Sequence, residues 1–324
     1  MKERICVLVV SSALIAGLVS FSPIVTLAAY PEKPVTLIVG FPPGGTTDFT
    51  SRTLAEAAKK YFPQPIAIVN RPGAGGGVGM AEVLQAKPDG YTIGLLASDT
   101  MTMVPHWTKV PYGSAEDYTP IINLVSTPVV IAVKSDAPWK TIQELITYAK
   151  ANPGKVRAAG SGMGNAHHLA CERLRAAGID LHWVPFAGAA ETTPALLGGH
   201  VESVISYYSN IAGQVQAKKI RILAVCGEKR DPLFADVPTF REVGYDVVMM
   251  TYFTIGGPKG LPSEILSSLH DAFKKSIETP LFIKAMEGRG FVVTYEGPQD
   301  LKKRALRDYE SIGKLTESLK KAKK

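Results

Sequence analysis

Short β-branched runs recur along this chain and are separated by longer stretches of helical periodicity. That alternation is what most limits the fold. The runs are Val35–Val39, Ile66–Val69, Thr92–Leu96, Val129–Val133, Val204–Ile205, Ile222–Val225 and Val247–Met249, bounded by Gly, Pro, Asn or Asp. Apolar strings this short read as buried strands of a largely parallel sheet. Between them, Asp48–Tyr61 carries Leu54, Ala57, Ala58 and Tyr61 on one face. Thr141-Ile-Gln-Glu144 is a capping box that opens a helix, and Asn152-Pro153-Gly154 stops it. His167–Ala177 reads as a helix ended by Gly178, and Ser263–Glu278 and Pro298–Leu319 as two longer amphipathic helices. Strand–helix alternation predicts an α/β layered architecture. No internal repeat is visible in the sequence.

The 324 residues correspond to about two domains. With 46% apolar and 20% charged residues the chain is neither disordered nor low-complexity. The net charge of +7 is spread along the sequence except for Lys320, Lys321, Lys323 and Lys324, which read as a solvated tail. Basic residues are not interleaved with aromatics, so nucleic acid is not an expected partner. Three cysteines exclude a disulfide framework. Cys171 and Cys226 either pair with each other or are two buried thiols.

Lys2 and Arg4 are followed by no charge until Glu32. Ile5–Leu18 is apolar, Ser20, Ser22 and Pro23 interrupt it, and small residues follow at Ala28 and Ala29. This is the pattern of a secretory signal peptide over residues 1–29, cleaved after Ala28 or Ala29, which leaves an exported soluble protein in the periplasm. The alternative is an uncleaved anchor helix.

Two segments share one chemical device. Phe41-Pro-Pro-Gly-Gly-Thr-Thr-Asp48 runs from a strand into a helix, with Gly44, Gly45, Thr46 and Thr47 at the turn. Gly160-Ser-Gly-Met-Gly-Asn-Ala-His-His168 does the same in mid-chain, with Ser161, Asn165 and His167 near the helix start. Unpaired N–H groups and the positive end of the helix dipole make each turn a seat for an anion. The first could equally be a simple helix cap. Two such seats point to a ligand with two acidic ends, or to one clamped between two lobes. Asn70-Arg-Pro-Gly-Ala-Gly-Gly-Gly-Val-Gly79 fits neither the dinucleotide nor the P-loop pattern and reads as a tight crossover. His167 with Cys171, and His168 with Glu172, have metal-ligand spacing but no third ligand, so no metal or other cofactor is expected. His168 reads as a packed histidine. Gly-x-Ser-x-Gly, His-Glu-x-x-His and Cys-x-x-Cys are absent, and the chain is not expected to be an enzyme.

Several blocks, in order, resemble a known family. They are Val-x-Leu-Ile-Val-x-Phe-x-Pro-Gly-Gly-x-Thr-Asp after Tyr30-Pro, Asn70-Arg-Pro-Gly-Ala-Gly-Gly, Lys87-Pro-Asp-Gly-Tyr-Thr92, Val184-Pro-Phe-x-Gly188, Leu196-Leu-Gly-Gly-His-Val201 and Asp236-Val-Pro-Thr239. The chain is similar, over nearly all of residues 30–318, to extracytoplasmic solute receptors of the tripartite tricarboxylate transporter system, the Bug family. The resemblance implies a type II periplasmic binding-protein fold, with two α/β lobes joined by crossing strands and a ligand cleft between them. Lobe I would be 30–125 plus 240–324 and lobe II 126–239, with Ile121–Thr127 and Val247–Thr254 crossing.

The implied function is capture of a small organic anion, a carboxylate, by lobe closure, and its delivery by a monomeric receptor to the membrane permease subunits of a tripartite transporter. A sensory receptor presenting the ligand to a membrane sensor kinase, or an exported enzyme using the same cleft, are the alternatives. The resemblance assigns Phe41, Gly44, Gly45, Thr46, Thr47, Ser161, Asn165, His167, Phe186, Gly188, Ser206 and Tyr207 to the ligand. The departures bear on specificity. Thr46 replaces the family's usual third glycine, His167 a small hydroxyl residue, Phe186 a tyrosine and Ala187 a frequent basic residue. Ser206 stands where an aspartate suited to a ligand amino group is common, which argues against an amino acid. Trp183, Phe186, Tyr207 and Tyr208 fit a hydrophobic or aromatic carboxylate, or else core packing.

Overall fold

The computed structural model describes residues 30–114 and 116–322. The predicted signal peptide, with Cys6, and the last two lysines lie outside the described residues.

The chain opens with β1 (Val35–Val39), α1 (Thr46–Ala58), β2 (Ile66–Asn70), α2 (Gly77–Gln85) and β3 (Thr92–Ala97). Two short helices, α3 (Ser98–Thr102) and α4 (Val104–Trp107), precede the long strand β4 (Tyr118–Lys134). There follow α5 (Ile142–Ala151), β5 (Val156–Ser161), α6 (Ala166–Ala176), β6 (Leu181–Phe186), α7 (Ala189–Leu197), β7 (Ser203–Tyr207), α8 (Tyr208–Gln216) and β8 (Ile220–Val225). The chain closes with β9 (Met250–Pro258), α9 (Ser263–Ile277), α10 (Pro280–Glu287), β10 (Val292–Glu296) and α11 (Pro298–Ala322). Among the described residues no helix is long and apolar enough to cross a membrane.

The strands follow the order β2-β1-β3-β9-β4-β7-β5-β6, with β8 and β10 also on β4. Within it, β1 is parallel to β2 and β3, and β5 is parallel to β6 and β7. Each half therefore has the central-strand arrangement 2-1-3, a repeat of topology with no repeat of sequence behind it. The sheet is mixed rather than largely parallel, because β9 runs antiparallel between β3 and β4, and β4 is antiparallel to β7, β8 and β10. Tyr118–Pro128 of β4 pairs with β9, whereas Val129–Val133 pairs with β7. One strand thus belongs to both halves.

Local chemistry explains the elements. Thr141 accepts from Glu144 N at 3.3 Å, and Ile142, Leu145, Ile146 and Ala149 of α5 are buried. The reciprocal bond of the capping box goes one residue early, from Lys140 N to Glu144. Val247–Met249, read as a strand, is instead the approach to β9. Met249 bonds to Val129 and Cys226 there, at the point where the chain passes between halves. The C-terminal helices return to the first half, where Phe273 of α9 stacks on Phe62 with ring centres 6.1 Å apart. Burying two such rings contributes a few kcal/mol, on the order of 1.5–3 kcal/mol each.

The glycine-dense segment 70–79 is a close crossover. A Cβ on Gly79 would lie 2.8 Å from Gly40 Cα, and one on Gly40 would lie 2.7 Å from the Gly76 carbonyl oxygen. Only bare backbone fits where β1 leaves the sheet. Cys171 and Cys226 are buried and not bonded to each other. The Cys171 thiol faces the Leu181 carbonyl at 3.6 Å. Burial pushes the Cys226 thiol up to about 12.

Candidate functional site

In open α/β sheets, ligands bind outside the carboxyl ends of strands, where the strand order reverses. Here that rule picks out the ends of β1 and β3 in one half and of β5 and β7 in the other. The four ends meet around one small cavity of about 30 Å³. A larger groove of about 590 Å³ lies elsewhere, between α1 and β2. None of the four strand ends reaches it, so it is not the site.

At the end of β1, Gly45 precedes the first turn of α1 in extended conformation. Asp48 holds the turn from behind, accepting from Gly44 N (3.0 Å), from Arg52 Nε and Nη2 (2.9 Å each) and from Asn70 Nδ2 (3.1 Å). Asn70 also donates to the Phe41 carbonyl at 2.9 Å. Burial alone would raise the Asp48 carboxyl, but these donors hold it below the usual carboxylate range. The result is a rigid loop whose Gly45, Thr46 and Thr47 face the cavity.

At the end of β5, Asn165 caps α6, its Oδ1 accepting from His168 N at 3.2 Å, and its Nδ2 donates to the Ser161 carbonyl. Ser161 Oγ is 2.9 Å from His167 Nδ1. His167 is buried, its ring lies against that of Tyr207 with centres 4.4 Å apart, and its Nε2 has no hydrogen-bond partner. Burial lowers its pKa to about 3, so the imidazole is neutral. His168 lies between Trp107 and Trp183, takes Gly164 N on Nδ1 (3.1 Å) and faces Glu172 at 3.5 Å. The two histidines therefore point to different partners. Among the described residues no group of three or more His, Cys, Asp or Glu could hold a metal ion.

The ends of β3 and β7 supply groups that cross between the halves. Asp99, on α3, is buried. Its Oδ1 accepts from Thr100 N at 2.9 Å, and its Oδ2 accepts from Ala166 N at 3.1 Å, the first N–H of α6. Tyr207 OH is 3.3 Å from the same Oδ2 and 3.0 Å from Thr251 Oγ1. Burial raises the Asp99 carboxyl, and the Ala166, Thr100 and Tyr207 donors pull it back only in part. Burial also raises the Tyr207 phenol, and the neighbouring Asp99 adds to that. In the opposite direction, Asn210 of α8 reaches α1. Its Oδ1 accepts from Thr46 N (3.0 Å) and Thr46 Oγ1 (2.6 Å), while Ser209 Oγ lies 2.5 Å from Thr46 Oγ1. Each helix N-terminus thus meets an oxygen supplied by the other half.

Of the residues singled out from sequence, Phe41, Gly45, Thr46, Thr47, Ser161, Asn165 and Tyr207 line the cavity. Gly44, His167, Phe186, Gly188 and Ser206 do not. Gly44 is exposed and serves the turn through Asp48. His167 sits behind Ser161, and Phe186 packs against the apolar cluster of the second half. Gly188 abuts Pro42, since a Cβ there would lie 2.8 Å from Pro42 Cδ. Ser206 Oγ accepts from Asn210 Nδ2 at 3.1 Å and so orients that amide. Asp99, Asn210 and Phe253 line the cavity without having been anticipated. No local signal singles out the first two: each becomes visible only through its partner in the other half.

Residues 50–320 match the family described as the tripartite tricarboxylate transporter family receptor, TctC. A protein of Cupriavidus necator, "UPF0065 protein in gbd 5'region", is 38% identical over 258 residues, which is 79% of this chain and 78% of that one. The periplasmic binding protein BugD has 30% sequence identity and a TM-score of 0.85, covering 90% of this chain and 98% of its own. MatC from Rhodopseudomonas palustris, solved with bound malate, has 26% identity and a TM-score of 0.82, covering 89% and 100%. The chain belongs to the tripartite tricarboxylate transporter receptor family and has the two-part α/β fold of its periplasmic binding proteins.

Proposed function

We propose that this protein is a periplasmic receptor that captures an organic carboxylate between two lobes and hands it to the membrane permease of a tripartite transporter. In this reading, residues 30–125 plus 240–324 form lobe I and 126–239 form lobe II. The chain acts as a monomer after removal of the leader. Ligand contact falls to Phe41, Gly45, Thr46, Thr47, Ser161, Asn165 and Tyr207, with His167 acting through Ser161. The observation that carries the reading is the approach of two helix N-termini, α1 and α6, to one cavity. Backbone N–H groups at such ends favour an anion. The malate held by MatC supports the ligand class. A ligand touching both lobes binds the closed arrangement better and shifts the population toward it.

Thermal unfolding in the presence of a panel of organic acids tests the reading, with mass spectrometry of any small molecule retained through purification. At 100-fold over its dissociation constant a ligand should add about 2.7 kcal/mol of stability, with no metal required. Small-angle scattering should then give a smaller radius of gyration. A panel in which no organic acid raises the unfolding temperature refutes the proposal.

A further inference from the structure

The cavity wall carries a carboxyl group that its two anion seats do not call for. Asp99 is the single carboxylate lining it, and among the described lining residues there is no Lys, Arg or His to offset it. The residue is 1% exposed and its side chain is fixed at both oxygens, by Thr100 N on one and by Ala166 N and the Tyr207 hydroxyl on the other. The first N–H of α6 is thus already committed to an acidic side chain of the protein, and His168 N is committed to Asn165. The seat at α1 is faced by something different, the neutral amide of Asn210.

We propose that Asp99 sets the specificity of the cleft by selecting an organic monocarboxylate whose distal end donates a hydrogen bond, a hydroxyl or an ammonium, and by disfavouring a second carboxylate. This rests on the carboxylate-receptor reading and narrows it. The ligand carboxylate lies at the N-terminus of α1, where the competitors are neutral, the Asn210 amide and the Ser209 hydroxyl. Its distal end then meets Asp99. Both Asp99 oxygens already accept, from two backbone N–H groups and a phenol, so the group that faces their remaining lone pairs must be a donor. A second carboxylate there would set acceptor against acceptor in a buried place, with no Lys, Arg or His among the described lining residues to bridge them, which is costly. Ser206 does not enter this choice, because it lies outside the cavity wall and orients Asn210.

The test is calorimetric titration at neutral pH with matched series of probes that differ only at the distal group. Succinate, γ-hydroxybutyrate and γ-aminobutyrate form one series, and glutarate, δ-hydroxyvalerate and δ-aminovalerate another. In at least one series the hydroxy or amino member should bind the wild-type protein 10-fold or more tighter than the dicarboxylate, and which of the two leads identifies the donor. Asp99→Asn keeps the shape and an acceptor for Ala166 N, and should shrink or invert that ratio by about 10-fold. Its thermal unfolding reports whether it is folded. Should that variant not fold, Asp99→Ser removes the carboxyl group with a smaller side chain and should change the ratio in the same direction. A wild-type protein that binds the dicarboxylate as tightly as its matched partners overturns the proposal and leaves the receptor reading intact. A ratio unchanged by removal of the carboxyl group also overturns it. If no organic carboxylate of any kind binds, the receptor reading fails and this proposal fails with it.

Discussion

Asn210 Oδ1 accepts from both the backbone N–H and the hydroxyl of Thr46, at 3.0 and 2.6 Å, so an amide oxygen from the second half rests on the N-terminus of a helix in the first. It sits where the proposed ligand would place an oxygen.

Asn210→Asp converts that neutral oxygen into a fixed negative charge. The helix end favours the charge by about 0.3–1 kcal/mol, so the fold should be kept or slightly stabilised. Binding of the carboxylate identified by thermal screening should weaken by 10-fold or more, since the seat is then filled by the protein itself. Calorimetric titration measures the loss, and urea unfolding reports stability. Parental affinity in this variant would remove the start of α1 from the site.

His167 links stability to acid. Burial lowers its pKa to about 3 from the ordinary value near 6.5, so the unfolded chain takes up a proton between these values and the folded one does not. Stability should therefore fall as pH drops from about 6.5 towards 3, by up to about 1.4 kcal/mol per pH unit from this group. Above about 6.5 the contribution is flat. Urea unfolding of the parent and of His167→Gln across this range should show a shallower slope in the variant. Equal slopes would mean that other groups carry the acid sensitivity.

Gly79→Ala should be destabilising by about 1–3 kcal/mol, since the added methyl would lie 2.8 Å from Gly40 Cα and one of the two backbones must shift. Because Gly40 leads directly into the first loop, ligand affinity should fall along with stability. Gly244→Ala provides a contrast. It has nothing within 4 Å of the added carbon but a φ of +90°, so it pays a conformational penalty without crowding and should leave binding untouched. Denaturant midpoints and titrations of the two variants separate the effects.

Cys226 should resist alkylation by iodoacetamide at pH 8 in the folded protein and react once the chain is unfolded. Its thiol is buried, and burial holds it at about 12, far from the reactive thiolate. Intact-mass measurement before and after denaturation reads the difference. Rapid native modification would mean that this part of the second half opens readily.

Much of this architecture is legible in the sequence because it is local. Val35–Val39 is a strand as read, Thr141 caps its helix, and Gly178 ends α6 at a φ of +79°. The two glycine turns are legible because unpaired N–H groups at a helix start follow from residue type and order alone. What stayed hidden depends on pairs distant in the chain. Asp99 matters because Ala166 comes to it, and Asn210 because Thr46 does. Neither residue is unusual among its own neighbours. His167 shows the opposite limit: its place at the start of α6 was readable, but not that the side chain turns to Ser161 and sits behind the cavity wall. The mixed sheet escaped for a related reason, since a strand's own residues do not tell which neighbour it will meet or in which direction.

The pairing of β3 with β9, Leu95 beside Ile255, also sets an order of events in folding. The half built from the start of the chain cannot finish its sheet until the C-terminal third has been made, whereas β5, β6 and β7 and the end of β4 come from one uninterrupted stretch. Contacts this far apart in sequence are slow to form, because a long loop must close before they return any stabilisation. The second half can therefore assemble while β3 still lacks its β9 neighbour, with an unpaired, aggregation-prone strand edge exposed in the interval. The stretch of chain between β3 and β9 thus governs how long that edge stays open.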